Sequence, residues 1–176
     1  IIVSGFMTKI CASITNKKSI KAANDIFDYF VNIDELQTLA STKISKLFNT
    51  EAAVITASAA GGLTESVAGM MTGSDLKKIY SLPNTNKMKN KVLIQKGHLT
   101  NYGAEVSQGI LLSGAKILTC GLKKSCSSNN LEKTILKNKK NISCAMYVVS
   151  HHCSDYDSVK LDKFCLLYTS DAADEV

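Results

Sequence analysis

Thr56-Ala57-Ser58-Ala59-Ala60-Gly61-Gly62-Leu63 is the stretch on which the fold turns. Ala52-Ala53-Val54-Ile55-Thr56 leads into it, apolar and β-prone, and a helix-length segment follows it. The pattern predicts a strand over 52–56 and a helix from about Ala60 to Met71. Tiny residues where a strand breaks into a helix leave backbone N–H groups pointing outward, unscreened by side chains. The helix dipole adds partial positive charge at the same spot, so the junction suits a phosphate. It is neither the nucleotide P-loop, which needs a Gly-Lys-Ser/Thr ending, nor Gly-x-Gly-x-x-Gly. Small residues at such a junction also serve close packing alone, and the stretch by itself leaves both readings open.

The 176 residues suffice for one domain with a proper core, and 45% hydrophobic against 20% charged is a soluble, globular balance. No apolar run nears the roughly 18 residues that a membrane span needs. Ile1-Ile2-Val3, broken by Ser4-Gly5, is too short for a secretory signal, so a cytoplasmic protein is expected. The net charge is +6, but all 21 basic residues are Lys. Specific base and phosphate recognition leans on Arg forks, so nucleic acid is not the expected partner. Lys133, Lys137, Lys139 and Lys140 space like the solvated face and end of a helix. The six cysteines (11, 120, 126, 144, 153, 165) form no C-x-x-C pair and read as reduced thiols. His151-His152-Cys153 invites a metal, yet adjacent histidines on a strand face opposite ways and only one other His exists; no metal is expected.

Apolar residues at 20, 23, 26, 27 and 30 give Lys17 to Phe30 a helical rhythm. Asn32 with Glu35 three residues on makes a capping-box arrangement, and Leu36, Leu39, Ala40, Ile44 and Leu47 form the expected buried stripe of a second helix. Ser74-Asp75 caps a short helix towards Ser81, which Pro83 terminates. Val92–Gln95 reads as a strand, Tyr102 to Ser113 as a helix closed by Gly114, Lys116–Thr119 as a strand, 130–138 as a helix and Cys144 to Val149 as a strand. Strands and helices alternating at these separations predict an α/β fold with a mostly parallel sheet and crossover helices. Ligands of such sheets sit beyond the carboxyl ends of the strands. Residues 56–60, 95–101 and 150–153 follow three of the predicted strands, and His98, one loop from the phosphate candidate, offers a ring to stack on a flat cofactor.

At these residues the chain resembles the pyridoxal-phosphate enzymes related to selenocysteine synthase (L-seryl-tRNA selenium transferase), including their D-glucosaminate-6-phosphate ammonia-lyase-like branch. Ser4-Gly5-Phe6-Met7-Thr8 resembles the family's opening segment, and Asn32-Ile33-Asp34-Glu35-Leu36-Gln37 its Asp-Glu-Leu-Gln helix start. Thr50-Glu51-Ala52-Ala53 with Val54 to Leu63 resembles its strand and small-residue loop. Leu82-Pro83-Asn84-Thr85, Met88-Lys89-Asn90 and Ile94-Gln95-Lys96-Gly97-His98 continue in order, and the resemblance runs from Val3 to about Phe164. It implies a fold-type-I transferase architecture, similar to aspartate aminotransferase, with pyridoxal 5'-phosphate as cofactor. It also implies that Ser58, Ala59 and Ala60 hold the cofactor phosphate, although the family's loop usually reads Ser-Gly-Ala-Ala and Ala57-Ser58 stands here for Ser-Gly. His98 falls where relatives stack an aromatic ring on the pyridine, and Ser150 and His151 where a strand-end loop nears the cofactor's far edge.

The family's chemistry needs a Schiff-base Lys and a carboxylate against the pyridine nitrogen, and the resemblance places both beyond this chain. Asp171-Ala172-Ala173-Asp174 is not taken as that carboxylate. Cys165-Leu166-Leu167-Tyr168-Thr169-Ser170-Asp171-Ala172-Ala173-Asp174-Glu175 resembles one reading frame of a transposase-based sequencing adapter. Residues 1–164 are therefore expected to be the N-terminal segment and first part of the cofactor-binding large domain. Residues 165–176 are expected to be a non-native tail, and the chain alone inactive. The resemblance implies an ammonia-lyase-type elimination on a small amino acid or phosphorylated amino sugar acid, in a homo-oligomer that is at least a dimer. L-seryl-tRNA selenium transferase, acting on a charged tRNA, is the alternative enzyme, and an anion- or nucleotide-binding α/β module the alternative without catalysis.

Overall fold

In the computed structural model, which describes residues 14–172, the chain divides into two units, Ile1–Ile55 and Thr56–Val176. Within the first, α1 (Lys17–Ile26) starts at Asn16, whose side chain accepts the Ser19 amide, and stops short of the expected Phe30. Helix α2 (Ile33–Phe48) starts at Asn32, whose Oδ1 accepts the amides of Asp34 and Glu35 at 3.0 and 3.2 Å. Asp34 and Glu35 then sit in the first turn, where the helix dipole favours negative charge.

Two expectations fail in this unit. The apolar stripe of α2 is not buried: Leu39 is 62% and Leu47 74% exposed, and no residue of the helix counts as core. Segment 52–56 is not a strand either. No strand lies beside it among the described residues, so side chains of α2 take up its main-chain groups. Gln37 Nε2 donates to the Ile55 carbonyl at 3.0 Å and its Oε1 accepts the Ile55 amide at 3.4 Å. The Ala53 amide donates to Ser41 Oγ at 3.1 Å. The segment is extended, but its partners are a helix's polar side chains.

The second unit carries the sheet. Helices α3 (Ala59–Thr72) and α4 (Leu76–Ser81) come first, the latter capped by Asp75 as its sequence predicts. Strand β1 (Lys91–Gln95) then forms the centre of a three-stranded sheet of order β2-β1-β3, between β2 (Lys116–Cys120) and β3 (Ile142–Met146), all parallel. Three more helices follow the strands: α5 (Val106–Leu112), α6 (Ser128–Asn138) and α7 (Leu161–Ala172).

Alternation along β1 explains the layers. Val92 and Ile94 face one side and pack with Val67 and Met71 of α3, Val106 and Ile110 of α5, and Cys144. Leu93 faces the other and packs with Leu131 and Ile135 of α6 and Phe164 of α7. A strand covered on both faces must be apolar where it is covered, and the Val92-Leu93-Ile94 centre of this one is, while the buried Gln95 at its end has its amide paired with the main chain of Val159. Leu93, Ile94, Ile110 and Leu131 are fully buried, each contributing about 2 kcal/mol by removal from water.

Element boundaries move where side chains intervene. Helix α5 begins at Val106, not Tyr102, because Asn101 Oδ1 accepts the Gly103 amide at 2.8 Å and residues 101 and 105 bridge antiparallel. Strand β3 runs Ile142–Met146 rather than to Val149, because the Val148 amide donates to His98 Nδ1 at 3.3 Å instead of joining a ladder. Gly114, at φ 85, closes α5, and a Cβ there would overlap the Pro83 carbonyl. No described helix is long and apolar enough to cross a membrane.

Candidate functional site

Ser58 decides where α3 begins. Its Oγ accepts the Gly61 amide at 3.0 Å, its carbonyl accepts the Gly62 amide at 2.9 Å, and Thr56 Oγ1 donates to that carbonyl at 3.1 Å. The helix therefore opens one residue earlier than its composition predicts, at Ala59. The amides of Ala59 and Ala60 are the two first-turn donors left over, and no hydrogen bond among the described residues claims them. Ala57 to Ala60 are all exposed. Ser58 stands where the resemblance leads one to expect glycine, yet its φ of -162 and ψ of 161 are extended backbone that any residue adopts. Gly62 is the position where size matters: a Cβ there would lie 3.0 Å from Thr56 Oγ1.

The start of α3 is fastened to the sheet's own helices. Thr64 Oγ1 donates to the Gly109 carbonyl of α5 at 3.0 Å, and a Cβ on Gly109 would come within 2.7 Å of Leu63. The first residue of α5, Val106, in turn donates its amide to the Thr100 carbonyl in the loop after β1. Thr100 itself is buried, and its Oγ1 has no hydrogen-bond partner among the described residues.

His98 ends a short turn, Lys96–His98, directly after β1. The sequence pictures an open ring face, but the structure buries it at 1% exposed. Tyr147 meets the ring edge-on at 4.4 Å and 84°, and Tyr156 at 5.9 Å and 65°. Because Nδ1 accepts the Val148 amide, the neutral ring carries its proton on Nε2. Burial lowers the imidazole's pKa from its ordinary value, which favours that neutral form. Gly97, beside it, allows the packing, since a Cβ there would overlap the Tyr156 ring.

Ser150 caps the next turn, His151–Cys153: its Oγ accepts the His152 amide at 3.2 Å and its carbonyl the Cys153 amide at 3.0 Å. His151 and His152 are exposed with ring centroids 4.1 Å apart, and His152 meets Tyr102 edge-on at 5.2 Å. The structure thus brings the loops after β1 and β3 together, through His98 with Val148 and Tyr102 with His152. No hydrogen bond or ring contact among the described residues joins Ser58, Ala59 or Ala60 to His98 or Ser150. Among the described residues no three His, Cys, Asp or Glu side chains are grouped to hold a metal.

The motifs do not announce the tyrosines around His98 or the fully buried Gln95. Glycine next to histidine was the one available signal, because a bare residue beside a ring marks a close approach.

No family model matches the chain. The chain is 30% identical over 160 residues to "D-glucosaminate-6-phosphate ammonia lyase" of Salmonella typhimurium, a match covering 91% of this chain and 42% of the relative. It is 29% identical over 103 residues to "5'-C-glycyluridine monooxygenase-decarboxylase" of a Streptomyces species, covering 58% of this chain and 26% of the relative. A solved structure of D-glucosaminate-6-phosphate ammonia-lyase superposes with a TM-score of 0.89 at 27% identity, over 96% of this chain and 45% of that one. By sequence and by fold the chain is similar to D-glucosaminate-6-phosphate ammonia lyase, and it spans less than half of that protein's length.

Proposed function

We propose that the protein is a cytoplasmic, pyridoxal-phosphate-dependent lyase that releases ammonia from a phosphorylated amino sugar acid or a related small amino acid. The observation that carries this is the 30% identity over 160 residues to a protein named for that reaction. The architecture supports it: a parallel β2-β1-β3 sheet with helices on both faces suits the large domain of a fold-type-I enzyme. Residues 1–164 are read as the first part of that domain.

The start of α3 fits a phosphate ester by its donor chemistry. Two unclaimed amides, Ala59 and Ala60, and the Ser58 hydroxyl lie at the positive end of a 14-residue helix, and residues 57–62 themselves carry nothing larger than a hydroxymethyl. Pyridoxal 5'-phosphate, when bound, supplies an electron sink for the charge left on the substrate's α-carbon. Ser58, Ala59 and Ala60 would hold its phosphate and Ser150, on the loop after β3, would face its ring side, while His98, buried against Tyr147 and Tyr156, would support that loop from behind. His98 keeps its proton on Nε2 and holds the Val148 amide, which orients the chain entering Ser150.

No described lysine is placed to carry the cofactor. Every described lysine is exposed except the half-buried Lys91 and Lys139. Lys91 donates to Asn138 Oδ1 at 2.8 Å, at the amino end of β1 and away from the strand ends where ligands bind. The chain by itself is therefore expected to be inactive, and the active assembly to be at least a dimer.

The test is ammonia release from D-glucosaminate 6-phosphate by the intact protein, with and without added pyridoxal 5'-phosphate. Release that depends on the cofactor is expected. Retention of ATP but not pyridoxal 5'-phosphate in equilibrium dialysis, with no ammonia formed, would instead make the protein a nucleotide-binding module.

A further inference from the structure

Cys120 ends β2 and Cys126 precedes α6, and their sulfurs lie 3.7 Å apart, the Cys126 thiol donating to Cys120. The loop between them is folded back on itself. Leu122 donates its amide to the Ser125 carbonyl at 2.7 Å, and Gly121 stands at φ 82. A Cβ on Gly121 would fall 2.6 Å from the Cβ of Cys126, so only a bare residue lets Cys126 press against the end of β2. The loop is also tied to the chain before α7, because Cys126 donates to the Asp157 carbonyl at 2.8 Å and Tyr156 Oη to the Leu122 carbonyl at 3.3 Å.

We propose that Cys120 and Cys126 form a dithiol that a small disulfide oxidises to an intramolecular disulfide, clasping the end of β2 to the start of α6. This goes beyond the lyase reading and does not depend on it. Two side chains already in contact across a five-residue loop have to close from 3.7 Å to the bonding distance of roughly 2.05 Å.

The order of events follows from access. Cys126, itself 5% exposed, borders a surface cavity of about 440 Å³ with Ser127, Ser128 and Asp157. Burial and the neighbouring Cys126 push the Cys120 thiol up to about 12, while burial alone pushes Cys126 up and its hydrogen bond to Cys120 opposes that. Cys126, which borders the cavity, is therefore the sulfur that the oxidant meets first. Its thiolate attacks one sulfur of the oxidant, forming a mixed disulfide and expelling one thiolate, which takes up the Cys126 proton. Cys120 then gives up its proton and attacks the Cys126 sulfur, expelling the second thiol. Two protein thiols are oxidised, one small disulfide is reduced to two thiols, and no other reactant enters.

The clasp sits next to the proposed site. Tyr156, held by Leu122, packs on Gly97 and edge-on to His98, so the disulfide would stiffen the wall behind that ring.

The test uses the intact protein, folded and in buffer, exposed to oxidised glutathione, quenched in acid, alkylated in denaturant and digested after lysine. Lys116, Lys123, Lys124 and Lys133 place the two cysteines in separate peptides, 117–123 and 125–133. A linked pair of these peptides that reduction separates is the expected result, and Cys120→Ser and Cys126→Ser should each abolish it. Recovery of both peptides alkylated, while the partly exposed Cys153 carries glutathione, would overturn the proposal. Cofactor-dependent ammonia release is measured separately, so failure of one proposal leaves the other standing.

Discussion

Gln95 and Val159 pair like two strand residues, although one partner is a side chain. The Val159 amide donates to Gln95 Oε1 at 2.8 Å and Gln95 Nε2 donates to the Val159 carbonyl at 3.2 Å, with the glutamine fully buried. This pair fixes the chain just before α7 and so positions Phe164 in the core. Gln95→Leu leaves a buried N–H and a buried C=O without partners and should cost about 3 kcal/mol in urea denaturation. A loss below about 1 kcal/mol would mean that water or a neighbour replaces the amide.

Ser58 has a structural and a proposed functional role that two substitutions separate. Ser58→Ala removes the acceptor for the Gly61 amide and should lower stability by about 1 kcal/mol. Ser58→Asp retains an acceptor and should stay within about 0.5 kcal/mol of the parent, yet its carboxylate opposes a phosphate at the same turn. Pyridoxal 5'-phosphate affinity, measured by calorimetry on the intact protein, should fall more than about tenfold in Ser58→Asp, at least about 1.4 kcal/mol. Unchanged affinity would place the phosphate elsewhere.

Two glycines should respond oppositely to a methyl group. Gly97→Ala drives a Cβ into the Tyr156 ring and should destabilise by about 2 kcal/mol, whereas Gly69, inside α3 with nothing within 4 Å of its virtual Cβ, should gain about 1 kcal/mol as Ala. Thermal unfolding of both variants checks the pair. Equal effects would show that Tyr156 is free to move.

His98 makes stability depend on pH in a stated direction. Its folded pKa lies below the ordinary value near 6.5, so the unfolded chain binds more protons as pH drops through about 6.5. The histidine's contribution is intact above that value and is lost towards the lower folded pKa. Urea midpoints at about pH 7 and about pH 5.5 should therefore fall further in the parent than in His98→Gln, which keeps an acceptor for the Val148 amide. Parallel profiles would show that the folded ring protonates without cost.

Local pattern was enough for much of the fold. The apolar run of Val92–Gln95, the caps at Asn32 and Asp75 and the bare turn at Ser58 each depend on residues within a turn or two of one another. The structure places their elements where the spacing puts them. Segment 52–56 shows the boundary of that reasoning. Its composition is strand-like, but a strand exists only beside another strand, and here Gln37 and Ser41 supply the partners instead.

By itself the sequence determined the alternation of helices and strands, the parallel sheet and the bare first turn of α3, because these follow from periodicity, capping and side-chain size over short spans. Tertiary structure alone decided that His98 is buried, that β3 stops at Met146 and that Gln95 serves a backbone partner. Those outcomes rest on Val148, 50 residues from His98, and on Val159, 64 residues from Gln95. Burial and pairing belong to both members of a contact, and the chain must fold before the second member arrives.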